Sequence, residues 1–373
     1  MQTNKSLNVV FFLTISLLCV SCKKDTFTLN GKIFNITNQD LISQAKVSIG
    51  NITVQTNRNG EYEIPNLKIN TEHVISIEHK DFVSIIRKVK SNLAKDLGAN
   101  FPLIPRNEGK EFSSTDTIVS LMRSGGKVVI KPNSLVTKSN KVYEGKVFLR
   151  TTFINPKEDN LIIASPSTFI SSDSRPLQSY GMIEIYATTV DGERLDIRKD
   201  RPALIEIPNI SRLSNNVGLY YLNTNSGLWV NSGVLTYNEK TNTLLGEVTS
   251  ISSAWNADDP CASALVCIRI QVVDGLNTPR PYFGVGAVGL SYSGYTGISQ
   301  TDANGFVDLY VCPNQAIKFV GDIIPCCDAG DIPGTPEHIF CCENHGQAQG
   351  PIVDLSLVTL TPPCTSLGTV IFP

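Results

Sequence analysis

From Phe27 onward the chain is written in short alternations of apolar and polar residues punctuated by turn residues. Gly31-Lys32-Ile33-Phe34, Val47-Ser48-Ile49, Val74-Ile75-Ser76-Ile77 and Phe82-Val83-Ser84-Ile85-Ile86 follow one another closely. A period of two sets alternate side chains on one face of a strand, and no long segment keeps the roughly 3.6-residue period of an amphipathic helix. The pattern continues through Lys127–Ile130, Tyr180–Ala187, Leu204–Ile207, Gly218–Leu222 and Leu228–Val230, then Ile268–Val273 and Val285–Leu290. It predicts an all-β chain of tandem β-sandwiches.

One run breaks the alternation. Leu7 to Val20 is apolar except for Asn8, Thr14 and Ser16, with Lys5 before it and Ser21-Cys22-Lys23-Lys24 after it. It falls short of the roughly 20 apolar residues that span hydrocarbon, so 1–21 reads as a cleaved signal peptide. Small Ser21, then Cys22, then charge resembles the lipobox of bacterial lipoproteins, with Cys19 standing where that family usually has Leu. Cys19 as acceptor would place bulky Leu18 at the cleavage site. The resemblance implies a lipid on Cys22, a tethered linker at 22–26 and a membrane as the partner at this end. No second spanning run occurs, so the remainder is expected to be soluble. Lys23-Lys24 differs from the acidic export signal of surface-exposed Bacteroidota lipoproteins. The expected location is therefore the outer membrane of a cell envelope, with periplasmic and outward facing both open.

Residues 27–104 form the first expected unit. Thr56-Asn57-Arg58-Asn59-Gly60-Glu61-Tyr62-Glu63-Ile64-Pro65-Asn66-Leu67 reads as a tight Asn59-Gly60 hairpin turn followed by a strand with Tyr62 and Ile64 on one face. With its flanking strands it resembles the carboxypeptidase regulatory-like, transthyretin-like domain of Bacteroidota surface proteins, which implies a spacer or scaffold and no peptidase. Zinc carboxypeptidases use an HxxE pair, and neither His73 nor His79 has Glu three residues on, so both read as strand residues. Residues 105–116 are polar and turn-rich, a connector.

The region 117–255 runs Gly125-Gly126-Lys127-Val128-Val129-Ile130-Lys131-Pro132-Asn133, Tyr180–Ala187, Pro202–Pro208, Gly218–Asn223 and Ser226-Gly227-Leu228-Trp229-Val230. In this order the segments resemble the ZU5-like β-sandwich of cartilage intermediate layer proteins. Some relatives cleave themselves at a His-Phe-Ser site. The stretch Thr249–Asn256 has no histidine to activate a serine, so no self-cleavage is expected. Asp258-Asp259 sits beside Pro260 and reads as a solvated hinge. A third unit, Ig-like or regulatory-like, spans 262–373, and its Thr301-Asp302-Ala303-Asn304-Gly305-Phe306-Val307-Asp308-Leu309 repeats the Thr56–Leu67 pattern. Asp302-x-Asn304-Gly305 lacks the terminal acidic ligand of a calcium loop and reads as a hairpin turn.

Cysteine usage changes the picture of this last unit. None occurs between Cys22 and Cys261, then Cys261, Cys267, Cys312, Cys326, Cys327, Cys341, Cys342 and Cys364 follow. An even count in an oxidising compartment is a disulfide framework whose pairing the sequence leaves open. Cys326-Cys327 and Cys341-Cys342 with His338 and His345 hold the donors of a zinc site. Adjacent cysteines point apart and no CxxC occurs, so disulfides are expected, with no metal and no cofactor. The insert Gly321–Gly350 is read either as a rigid recognition loop or as a stabiliser.

A net charge of −2 and a pI near 6.1 give no footprint for nucleic acid. HExxH, GxSxG and GxxxxGK[ST] are all missing, and no enzyme activity is expected. The function expected is a lipid-anchored envelope protein displaying β-sandwiches for adhesion or for binding a glycan or protein, with Tyr282, Tyr292 and Tyr295 as exposed aromatics. An accessory hydrolase with an unrecognised site, or a structural spacer, stand as alternatives.

Overall fold

A computed structural model describes residues 25–91, 94, 96–122, 124–158, 163–261, 266–281, 283–296, 299–302, 304–324, 346–359 and 363–372. Cys22, Tyr282, Cys326, Cys327, His338, Cys341, Cys342 and His345 lie outside the described residues. The chain is all-β, and among the described residues no helix is long and apolar enough to cross a membrane.

The first unit contains β1 (Thr26–Asn35), β2 (Lys46–Ile49), β3 (Ile52–Gln55), β4 (Glu61–Lys68), β5 (His73–His79), β6 (Phe82–Val89), β7 (Leu97–Gly98) and β8 (Phe101–Leu103). One sheet centres on β1, antiparallel to β4 and parallel to β7 and β8; the other runs β3-β2-β5-β6. The alternation read from the sequence fills the space between them, with Phe27, Leu29, Ile33, Tyr62, Ile64, Val47, Ile75, Ile77 and Ile85 in one core.

The middle unit adds β9 (Lys110–Ser113), β10 (Ile118–Leu121), β11 (Lys127–Ile130), β12 (Leu135–Val136), β13 (Lys146–Ile154), β14 (Leu177–Thr189), β15 (Asp196–Ile197), β16 (Ala203–Pro208), β17 (Val217–Asn223), β18 (Leu228–Asn238), β19 (Thr243–Val248) and β20 (Trp255–Pro260). Ten of them form one path, β10-β11-β16-β19-β18-β17-β20-β14-β13-β9. Strand β18 pairs with β17 through its first residues and with β19 through its last, so the path folds over on itself. Val128, Ile130, Ile183, Ile185, Ile205, Leu219 and Trp255 pack between the resulting layers. The expected connector, 105–116, is built into this unit: β9 pairs with β13, and Arg106 is buried.

The third unit contains β21 (Val266–Val273), β22 (Gly284–Gly289), β23 (Ser299–Gln300), β24 (Phe306–Val311), β25 (Ala316–Ile324), β26 (Gly346–Asp354) and β27 (Thr365–Ile371). Its topology repeats that of the first unit. Strand β21 is antiparallel to β24 and parallel to β27, as β1 is to β4 and to β7 and β8. The second sheet, β23-β22-β25-β26, corresponds to β3-β2-β5-β6. Two disulfides close it, Cys261–Cys312 and Cys267–Cys364.

The two turns expected as hairpins do something else. Each carries the chain from one sheet to the other, from β3 to β4 and from β23 to β24. Gly60 and Gly305 take φ of +66° and +79°, while Asn59 stays out of the left-handed region. The carbonyl of Gly60 accepts from Ile33 N at 2.9 Å, and that of Gly305 from Val272 N at 2.7 Å. A Cβ at either glycine would lie 2.6 Å from a carbonyl oxygen of the central strand. Close backbone approach therefore demands glycine here.

Two further expectations are corrected. Asp258 is no solvated hinge: it sits within β20 between β17 and β14 and is 0% exposed. Trp255 and Ala257 face the middle core, so Asn256 and Asp258 face the opposite side, which the third unit covers. Tyr292 and Tyr295 are buried, the first in the third core and the second in the cluster where all three units meet. That cluster joins Phe34, Val83 and Ile86 to Phe169, Met182 and Trp229 and to Val288 and Val320.

Candidate functional site: a cleft between the first and middle units

The first unit lies against the middle unit through β5 and β6, and charged side chains hold the junction. Arg106 donates from Nε to Glu184 Oε2 and from Nη2 to Glu184 Oε1, both at 2.7 Å, with almost no exposure of either side chain. A bidentate pair of this kind fixes orientation as well as distance. Arg87 is wholly buried and donates to the carbonyls of Ile86, Ile163 and Ser165, at 3.0, 3.0 and 2.7 Å. Burial lowers its pKa to about 10, so it stays charged at neutral pH. Arg150 adds a contact to Asp81 at 3.0 Å across the same junction.

Beside these contacts the units part to leave a cleft of about 480 Å³. That volume suits a small ligand or a few sugar rings. Lys46, Glu78, His79 and Lys80 reach it from the first unit, and Glu184, Tyr186, Arg194, Thr224, Ser252 and Ser253 from the middle unit. The guanidinium carbons of Arg106 and Arg194 stand 3.8 and 4.1 Å from the Tyr186 ring centroid, so the ring holds both cations in place. Arg194 donates from Nη2 to Ile185 O at 3.0 Å and also to Ile251 O, while its Nη1 has no hydrogen-bond partner. Burial lowers the Arg194 pKa, with nearby Glu184 opposing the shift.

Four cations line this space against two carboxylates, Glu78 and Glu184. Glu184 is consumed by Arg106, and Glu78 stands 4.0 Å from Lys46. Lys80 remains exposed as positive charge at the cleft, and the buried Arg194 guanidinium adds to the field from behind its wall. His79 Nδ1 accepts from Asp81 N at 3.2 Å, and burial lowers its pKa. The Ser252 hydroxyl contacts the Ser250 hydroxyl at 2.7 Å.

The expected site residues fall elsewhere. Cys261, Cys267, Cys312 and Cys364 form the two bridges of the third unit, away from the cleft. His73, at the start of β5, contacts Lys68 O at the end of β4 at 3.0 Å. Arg106, Glu184, Tyr186 and Arg194 were not singled out from the sequence. The available signal was Glu184 between Ile183 and Ile185, a charge in an apolar strand that reads as a solvent-facing position.

No protein-family model and no curated protein matches the chain. Among solved structures, the Bacillus anthracis TIE protein is 10% identical over 94% of this chain and 51% of that one, with a TM-score of 0.20. The chain thus spans about half the length of that protein. BcpA, the major pilin subunit of Bacillus cereus, is 10% identical over 93% of this chain and 99% of its own, at a TM-score of 0.19. A DUF3823 family protein from Parabacteroides merdae is 13% identical over 46% and 95%, at 0.17. At these scores the likenesses bear on no functional point.

Proposed function

We propose that this chain is an envelope protein tethered through lipidated Cys22, and that the cleft between its first and middle units binds an acidic ligand, foremost a uronate-bearing glycan. The observation that carries this reading is the surplus of cations lining a 480 Å³ cleft, with the exposed Lys80 ammonium at its edge. A ligand carboxylate offers this ammonium a charged acceptor. Polar Thr224, Ser252 and Ser253 supply hydroxyls suited to sugar oxygens. The Arg106–Glu184 pair, with Arg106 Nη1 donating to His79 O, fixes the first unit against the middle unit and so preorganises the space.

Calorimetric titration of the full chain with oligogalacturonate and with an uncharged glucan tests this. Binding of the charged oligomer alone is expected, weakening as salt rises and weakening again in Lys80→Ala. Equal binding of both sugars, or none of either, overturns it. Cys22→Ala is expected to release the chain from membranes; retention there overturns the tether.

A further inference from the structure

Ser179, Asn256 and Asp258 stand on one face of the adjacent strands β14 and β20, beneath the third unit, and are 1%, 0% and 0% exposed. The register pairs Ser179 with Asp258 and then slips at Tyr180, so that Met182 faces Asn256. A bulge of this kind re-aims a side chain. Here the Ser179 hydroxyl donates diagonally across to the neighbouring strand, to Asn256 Oδ1 at 2.7 Å. The Asp258 carboxyl borders the same hydroxyl, and burial first, then Asp259, raises its pKa well above the ordinary carboxylate value. Neither oxygen of Asp258 and no proton of Asn256 Nδ2 finds a regular hydrogen bond. Buried polar groups are normally satisfied, and an orphaned carboxylic acid beside an orphaned amide calls for a reason.

We propose that these three residues form a self-processing site in which Ser179 attacks the side-chain amide carbon of Asn256, forming an ester cross-link between β14 and β20. The bond formed joins Ser179 Oγ to Asn256 Cγ, and the bond broken is Cγ–Nδ2. One oxygen of the Asp258 carboxyl takes the serine proton while the other gives its own to the departing nitrogen, which leaves as ammonia. The acid is restored, and no oxidant, metal or outside reactant enters. Nucleophile, proton carrier and electrophile in contact are the arrangement such a step needs. The third unit seals the site, with Ser179 N donating to Ser293 O at 2.8 Å, and exclusion of water protects the ester from hydrolysis. Strand β20 runs directly into Cys261, so the bond would anchor the third unit to the centre of the middle sheet.

Peptide mapping by mass spectrometry of the full chain purified from cells reads this directly. The expected finding is a peptide pair joined at Ser179 and Asn256 and lighter by about 17 Da, the mass of ammonia lost on substitution. Ser179→Ala and Asp258→Asn are expected to yield separate peptides of unaltered mass. Asn256→Asp would lose water in place of ammonia, about 18 Da, through the same attack. Separate peptides of sequence mass in the unsubstituted chain overturn the proposal. So does a loss of about 17 Da that persists in Ser179→Ala, which reports an asparagine closing on its own backbone.

Discussion

Phe27, Tyr62 and Phe101 fill the space between the sheets of the first unit, where the third unit has Ile270, Val307, Leu309 and Phe319. The strand paths are the same. The turn chemistry is the same too: Thr56 Oγ1 donates to Ile42 O at 2.7 Å and accepts from Ala45 N at 2.9 Å, and Thr301 Oγ1 does so with Arg280 O and Phe283 N, at 2.7 and 2.8 Å. What differs is the outside. In the first unit Ile52 is the exposed large apolar residue among those described, whereas the third exposes Leu276, Leu290, Phe306, Tyr310, Ile352, Leu357 and Ile371. Apolar side chains left in water contribute nothing to holding the sheets together. Among the described residues, the copy with more apolar side chains exposed is the one that is cross-linked, and cross-links are a common device of small domains.

The strongest test of this comparison removes the bridges. Each closes a long loop, 51 and 97 residues in separation, for which restriction of the unfolded chain is worth about 4 kcal/mol. Cys267→Ser with Cys364→Ser is expected to unfold the third unit at temperatures where the first stays folded. Hydrogen exchange read separately for β21 and β1 checks it. Equal loss of protection in both units would break the comparison.

Next in size are the crossing glycines. Gly60→Ala and Gly305→Ala both put a Cβ 2.6 Å from a carbonyl oxygen, at a positive φ. Each is expected to cost roughly 3 kcal/mol, from the strained φ together with the displaced strand. Denaturant melts of both variants sharpen the comparison: similar losses show that the repeated turn does one job in both copies. A Gly60 effect several-fold the larger would show that the bridges carry the load in the third unit.

How far this was legible follows from one physical limit. Alternation shows which residues share a face: it sets Tyr62 and Ile64 on one face, which the structure buries, and it makes the chain all-β. It does not say what covers the other face. Glu184, Asn256 and Asp258 alternate with apolar residues as a solvated edge would, yet neighbouring units cover them. The cleft was hidden for the same reason, since Lys80 and Arg194 are brought together by packing and by no motif. Asn59-Gly60 was read as a hairpin because turn residues reveal a reversal and not whether the strands they join share a sheet.

Acidity separates the two junctions of the middle unit. Asp258 has a raised folded pKa, so its contribution is fully present below the ordinary value of 3.8 and is lost as pH rises through the folded value. Arg87, at about 10, holds one charge state from pH 5 to 8. Raising the pH above the ordinary value of 3.8 is therefore expected to loosen the seal of the third unit on β14 and β20, while Arg87 keeps its charge at the first unit's attachment. Asp258→Asn should remove the dependence. Limited proteolysis near Pro260 across this pH range checks it, and a flat profile in the unsubstituted chain refutes it.

The smallest expected effect compares Thr56→Val with Thr301→Val. The swap keeps the shape of the side chain and removes the hydroxyl, leaving Ala45 N or Phe283 N and a carbonyl without that partner. A buried donor left unmade costs on the order of 1–3 kcal/mol. Thr56 N and Thr301 N also donate to the carbonyls of Ala45 and Phe283, at 2.9 and 3.0 Å, so the backbone crossing survives in both variants. Losses at the lower end of the range are expected in each. A full-range loss at Thr56 with none at Thr301 would mean that the bridge at Cys312, which closes the far end of β24, already fixes the third unit's crossing. The repeat would then be one of path, with the two copies held by different forces.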